Sequence, residues 1–248
     1  MDSDTLQQDL SEDDLFRQYS TQTNKTFMQG IGPWFFCHLS TKNWGNSEDG
    51  QILVDKWENV LKIKPDFVEM VTWNGNESTY LAPPDSPVIQ QFYPWATLSH
   101  SAFLDLSSYY HQAFKTGKRP KIIRDKLYYY YRTHSKNAIP SNDTLGVPVG
   151  GAQEDDDIYV VSMLSEPGTV VITSGKSSNQ FTVTAGINKL SMPFQEGKQT
   201  VALKRKGHTV MTSTGHVEIN NKIRVLNFNV YTNFVEAPRS LKKKSCRR

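Results

Sequence analysis

The chain has 248 residues, 37% of them hydrophobic and 11% aromatic, enough for one large domain or two small ones and not a disordered composition. The formal net charge of +3 is set by a tail: without Arg239, Lys242, Lys243, Lys244, Arg247 and Arg248, 22 bases face 25 acids, a net charge of −3. That mildly acidic body argues against nucleic-acid binding.

Residues 1–20 form an N-terminal segment. Met1 to Asp9 is acidic and polar, without the basic and apolar regions of a secretory signal. Ser11 to Tyr19 reads as a short helix, with Ser11 as its cap and Asp14 three residues on. Phe27 to Phe36 reads as a buried strand interrupted by Gly30, Gly32 and Pro33, whose irregular end carries Trp34, Phe35 and Phe36. Cys37 to Asn46 reads as a polar loop holding His38, Lys42, Asn43 and Trp44. Asp49 to Ile63 has helical spacing, with Ile52, Val54, Trp57, Val60 and Leu61 on one side, and Pro65 stops it. Asp66 to Val71 is the next strand. Strand, loop, helix, strand, loop is the rhythm of a parallel pair, and ligand sites in such folds lie at the C-terminal strand ends.

At that end stands Thr72-Trp73-Asn74-Gly75-Asn76-Glu77-Ser78-Thr79-Tyr80. An apolar run ending in Trp, Asn, Glu, Ser and Tyr suits a strand that delivers polar groups to a pocket. Sugars need that mixture, because a pyranose has apolar C–H faces and a rim of hydroxyls. The plainer reading is a strand-to-loop transition with core aromatics. Pro83 to Pro94 is turn-rich. Ser99 to Phe114 is a second amphipathic helix, with Gly117 as its C-cap. Four successive tyrosines make Leu127 to Tyr131 a strand.

The composition changes near Pro140, and residues 146–157, rich in Gly, Pro and acids, read as a linker. Residues 158–236 show short β-rich runs instead of a helical period: Tyr159–Met163, Thr169–Thr173, Gln180–Thr184, Lys189–Met192, Thr200–Lys204, Thr209–Thr212, His216–Ile219 and Ile223–Tyr231. Turn pairs such as Pro167-Gly168 and Lys206-Gly207 separate them, which points to an antiparallel β-sandwich. Residues 237–248 are the basic tail, either a solvated terminus or a localisation or anionic-surface signal.

The chemistry is narrow. Cys37 and Cys246 make no disulfide framework or metal spacing. His38, His100, His111 and His134 are scattered, with His38 placed to line a pocket and the others to pack or face solvent. No phosphate loop, dinucleotide fingerprint or nucleophile elbow occurs, so no cofactor and no metal are expected. No apolar run is long enough for a membrane span. Glycoside hydrolysis usually needs two carboxylates. Glu77 is the catalytic candidate, or a solvated loop residue; Glu69, inside an apolar strand, would need a partner.

Several ordered motifs carry a resemblance. Gly32-Pro33-Trp34-Phe35-Phe36 with Lys42-Asn43-Trp44, and Lys64-Pro65-Asp66-Phe67-Val68-Glu69 with Thr72-Trp73-Asn74, are followed by Phe114-Lys115-Thr116-Gly117, the run from Asp125 to His134, and Asn227-Phe228-Asn229. Together they resemble the fungal endo-1,3-α-glucanases (mutanases) of glycoside hydrolase family 71. The resemblance covers most of the chain beyond Ser11. It implies a fold of class α/β plus β: a partial (β/α) TIM-barrel-like segment over residues 21–145, then the sandwich. It implies hydrolysis of α-1,3-glucan of the fungal cell wall, a polysaccharide partner, and a family mostly secreted or cell-wall associated.

Trp34, His38, Trp44, Trp73, Asn74, Glu77 and Tyr80 are then expected to bind substrate. A closed barrel takes roughly 250 residues, so the last two strands are expected here without the strands that carry the family's acidic pair. The N-terminal half of the barrel becomes an expected partner, and little hydrolysis is expected from this chain alone. The family pattern Thr-Trp-Asn-Asp-x-Gly-Glu-Ser-x-Tyr has also lost one residue and its aspartate at Thr72–Tyr80. The alternative is a non-catalytic carbohydrate-binding or structural remnant.

Overall fold

A computed structural model of the chain describes residues 3–45, 50, 52–70 and 98–238. The first helix, α1 (Ser3–Gln22), is longer than its expected span. Ser11 is not its cap: Leu6, Gln7, Gln8 and Leu10 are good helix formers and carry the helix back past it. Asn24, with a left-handed φ of 52°, turns the chain out of α1. Strand β1 (Met28–Ile31) follows, and Gly32-Pro33 ends it well before Phe36.

The stretch expected to be a polar loop is instead a hairpin, β2 (Phe36–Leu39) and β3 (Lys42–Gly45), paired from Phe36↔Gly45 to Leu39↔Lys42. Its Ser40-Thr41 turn lacks the Asn-Gly or Asp-Gly signature that betrays a hairpin in sequence. Helix α2 (Ile52–Ile63) buries Leu53, Val54, Trp57 and Val60. Lys64 closes it in the left-handed region at φ 51°, and Pro65 prevents its return. Strand β4 (Phe67–Met70) then pairs parallel with β1, Met28↔Phe67 to Ile31↔Met70.

Helix α3 (Ser101–Thr116) buries Phe103, Leu106, Tyr110 and Ala113 and ends where Gly117 turns left-handed. Strands β5 (Lys126–Arg132), β6 (Asp157–Leu164), β7 (Gly168–Ser174), β8 (Ser177–Val183), β9 (Gly186–Pro193), β10 (Gln199–Arg205), β11 (His208–Thr214) and β12 (Val230–Glu236) complete the fold. They form two four-stranded antiparallel sheets, ordered β12-β5-β6-β9 and β11-β10-β7-β8. Residues 216–229, expected to hold two strands, contribute only a bridge between Ile219 and Gly197. Asparagine side chains take the backbone donors there: Asn220 accepts from the Lys222 amide at 2.9 Å and Asn227 from the Asn229 amide at 3.1 Å.

The first of these sheets has core on both faces. Leu127, Tyr129, Tyr131, Ile158 and Val160 point into a core shared with Val170, Ile172, Val201 and Leu203 of the second sheet. Tyr128, Tyr130, Tyr159, Val161 and Met163 point the other way, against α2 and α3. The four tyrosines thus alternate between two cores with the period of a strand. Each hydroxyl is satisfied: Tyr128 and Tyr129 reach Asp105 and Ser213 at 2.7 and 2.8 Å, Tyr131 reaches the Val217 carbonyl at 2.6 Å, and Tyr130 reaches the Gly50 carbonyl.

β5 and residues 146–157 each make contacts across the boundaries expected from sequence. β5, assigned to the segment over residues 21–145, lies between β6 and β12 in one sheet. Residues 146–157 are tied on both sides. Val149 exchanges backbone hydrogen bonds with β3, at 2.7 and 2.9 Å. Glu154 is ion-paired with Arg132 at 2.8 Å, both side chains buried, and Asp156 meets the same guanidinium at 2.5 Å.

Candidate functional site

Register decides which side chains the parallel pair presents. Gln29, Ile31, Val68 and Met70 share the face toward α2, while Met28, Gly30, Phe67 and Glu69 share the other. That second face is open: Met28 is 56% and Phe67 58% exposed. Glu69 lies on it, toward the C-terminal end of β4, exposed rather than enclosed in an apolar strand. It needs no buried partner, contrary to the expectation from its apolar neighbours. The stretch beyond Met70 that holds Trp73, Asn74, Glu77 and Tyr80 lies outside the described residues.

Trp34, just beyond β1, is buried at 4% exposure, and its indole Nε1 donates to the Phe228 carbonyl at 2.9 Å. Its position serves packing between this segment and the stretch before β12, not an exposed stacking platform. His38 is also buried. Its Nε2 lies 2.8 Å from Asp143 Oδ2 and its Nδ1 2.7 Å from Asn43 Oδ1. The Asn43 amide is oriented by donating to the Leu145 and Gly146 carbonyls, both at 3.1 Å. Both ring nitrogens of His38 therefore face oxygen acceptors, and the nitrogen that carries the proton donates to its partner. The ring also stacks on Phe36, which stacks on Phe228. Trp44 alone of the described candidates is open, at 50% exposure, tilted against Phe35 with ring centroids 6.2 Å apart.

Asp143, which does not stand out in the sequence, is the hub of this cluster. Burial disfavours its charged form, but the Leu226 and Leu145 amides and the His38 ring outweigh that and hold its carboxyl below the usual carboxylate range. The Asp143-Thr144-Leu145 turn, in which the carboxylate caps the amide two residues on, is the one local signal that was available. His100 and His134 are packing residues. His100 Nε2 donates to the Val230 carbonyl at 2.9 Å. His134 Nε2 accepts from the Asn227 amide and Nδ1 donates to the Ser135 carbonyl, each at 2.8 Å; burial pushes this ring's pKa down. Among the described residues, no group of three His, Cys, Asp or Glu could hold a metal ion, and no helix is long and apolar enough to cross a membrane.

The model of glycosyl hydrolase family 71 matches residues 2–244. The chain belongs to this family. It is 31% identical over 239 residues to glucan endo-1,3-alpha-glucosidase agn1 of Schizosaccharomyces pombe, covering 92% of this chain and 55% of the relative. A mutanase of Penicillium rubens is 33% identical over 216 residues, 84% of this chain and 47% of the relative. An ascus wall endo-1,3-alpha-glucanase of Schizosaccharomyces pombe is 29% identical over 243 residues, 90% and 56% of the two chains. This family 71 chain spans about half the length of the curated relatives it matches. No solved structure is significantly similar to it.

Within this family 71 member, the sequence-predicted residues divide in two. Trp34 and His38 are committed to internal hydrogen bonds. Trp44 and Glu69 are exposed to solvent.

Proposed function

We propose that this chain forms the C-terminal part of an α-1,3-glucan endo-hydrolase. The parallel unit β1-α2-β4 is the end of a (β/α) barrel, and the two antiparallel sheets are its β-sandwich, with the division near residue 125 rather than 146. The observation that carries this is the uncovered face of β1 and β4. Parallel sheets are found with both faces covered, and here one face shows Met28, Phe67 and Glu69 to solvent. Further β/α units would pair with its strands and enclose that face. The glucan cleft would lie at the C-terminal strand ends, lined by Trp44, Trp73, Asn74, Glu77 and Tyr80, with Trp34 and His38 holding the frame behind it. Alone, the chain hydrolyses little, because a retaining or inverting glycosidase needs two carboxylates across the bond and the described part of the open face holds one.

The test is release of reducing sugar from insoluble α-1,3-glucan by this chain alone and after fusion to the part of the agn1 relative that precedes the matched region. The fusion is expected to hydrolyse the polymer. Turnover by the isolated chain at ordinary glycosidase rates, roughly 1–1,000 per second, would overturn this reading. The single acid on the described open face favours a second one, a carbohydrate-binding remnant without activity. In that case the isolated chain is retained on the polymer and the fusion stays inactive.

A further inference from the structure

The outer face of the sheet β11-β10-β7-β8 is built from rungs that cross all four strands. The first rung is Thr214, Thr200, Thr173 and Ser178. Its hydroxyls are coupled in pairs, Thr200 to Thr214 at 2.9 Å and Thr173 to Ser178 at 3.0 Å. The second rung is Thr212, Ala202, Val171 and Gln180. The third is Thr209, Lys204, Thr169 and Thr182. Part of this last rung lines a shallow hollow of about 410 Å³, whose border carries the charges Glu166, Arg205 and Lys206. Every one of these positions is exposed or half-exposed.

Threonine at outward strand positions follows from β propensity on a wet face. Propensity does not account for the charges. These twelve positions carry one, Lys204, in a chain that is 21% charged overall. A solvated sheet face ordinarily mixes in Lys and Glu, which also keep it from associating. What remains is a nearly neutral surface of methyls and hydroxyls, roughly 14 Å on a side from ordinary strand and rung spacings. Its cross-strand hydroxyl pairs hold side chains that would otherwise rotate.

We propose that this face binds the surface of an insoluble, uncharged α-glucan, and so holds the protein on its polymer away from the cleft. This rests on the reading that the polymer is α-1,3-glucan. Sugar C–H faces would lie on the Thr, Val and Ala methyl groups. Sugar hydroxyls would exchange hydrogen bonds with the threonine row and with Gln180. A neutral polymer matches a neutral face because neither side must strip water from an ion. The contact is broad and shallow, so it acts on a polymer surface and not on a short oligosaccharide.

The experiment is depletion of the full chain from solution by insoluble α-1,3-glucan, β-1,3-glucan and cellulose. The charge-introducing pair Thr182→Glu/Thr200→Glu is expected to weaken retention on α-1,3-glucan by about tenfold or more. Ala185→Glu, on the turn between β8 and β9 and off the face, should retain wild-type binding. Thr173→Val/Thr200→Val keeps the β-branched shape and removes two hydroxyls, so its weaker retention would support the proposal even if the charged pair folds poorly. Wild-type retention by both folded pairs overturns the binding face and leaves the glucan reading intact. Wild-type retention on β-1,3-glucan or cellulose in preference to α-1,3-glucan, lost in the variants, supports the face and overturns the choice of polymer. No retention of the wild-type chain on any polymer overturns the proposal.

Discussion

Strands β4 and β5 are both short and apolar, and they end up in opposite situations. β5 sits between β12 and β6 with α3 on one face and the second sheet on the other, and Tyr128, Tyr129, Tyr130 and Tyr131 are all buried. β4 pairs with β1, rests one face on α2, and shows Phe67 and Glu69 on the other. A continuous apolar run promises burial on both faces, but the promise is kept by whichever elements arrive to cover it. In β5 those elements lie within the described chain. In β4 no described element covers the second face.

The sharpest way to break that contrast is to truncate one aromatic in each strand. Tyr129→Ala is expected to destabilise the fold by about 3–5 kcal/mol, because it empties a filled core and removes the partner of Ser213. Phe67→Ala should change stability by less than about 0.5 kcal/mol. Urea unfolding of the two variants measures both. A loss at Phe67 as large as at Tyr129 would mean that its face is covered in solution.

A second large effect is expected where the chain after β5 locks onto residues 146–157. Arg132→Met strands Glu154 in a buried site and is expected to cost about 3–5 kcal/mol. Arg132→Met/Glu154→Leu removes the buried pair, leaves the partly exposed Asp156 held by Ser135 and the Lys136 amide, and should recover most of that loss in the same unfolding measurement. Equal losses for the single and double variants would show that the guanidinium acts through its packing over Phe228, 4.9 Å from that ring, rather than through the ion pair.

How much of this was legible follows from the same contrast. The tyrosine run, the turn pairs and the helical spacing of Asp49 to Ile63 were readable because each is a local pattern with one solution. The β2–β3 hairpin was not, because His38 and Asn43 look polar until residues 143–146 supply Asp143 to the first and the Leu145 and Gly146 carbonyls to the second. The contacts of residues 146–157 were hidden for the same reason. Gly, Pro and acid mark a chain without its own periodicity, and say nothing of the Arg132 waiting to pair with it. Trp34 and Trp44 stood equal in sequence; the Phe228 carbonyl claims one of them and leaves the other exposed.

The Asp143 cluster gives a smaller, pH-dependent effect. The carboxyl titrates below its ordinary value in the folded chain. Its contribution is therefore present above the unfolded value, about 3.9, and is lost as pH falls through the folded one. Asp143→Asn should cost roughly 1–3 kcal/mol at pH 7, from weaker acceptance of the Leu145 and Leu226 amides and the lost charge beside His38. The deficit relative to wild type should shrink on acidification below about pH 4. Urea midpoints at pH 7 and pH 3 test this, and a deficit that stays constant would remove Asp143 from the acid response of the fold.

The smallest effect on stability separates the two tryptophans. Trp44→Ala removes a half-exposed ring that touches Phe35 and should change unfolding by less than about 1 kcal/mol. Trp34→Phe keeps an aromatic ring but leaves the buried Phe228 carbonyl without its donor, which costs about 1–3 kcal/mol. Retention on α-1,3-glucan should divide the other way, falling for Trp44→Ala and holding for folded Trp34→Phe. An aromatic can hold its own fold or meet a polymer with its face, and a ring whose indole N–H is already bound inside is set for the first. If Trp34→Phe lost polymer retention at unchanged stability, that rule would not apply here, and the surface beside Trp34 would belong to the cleft.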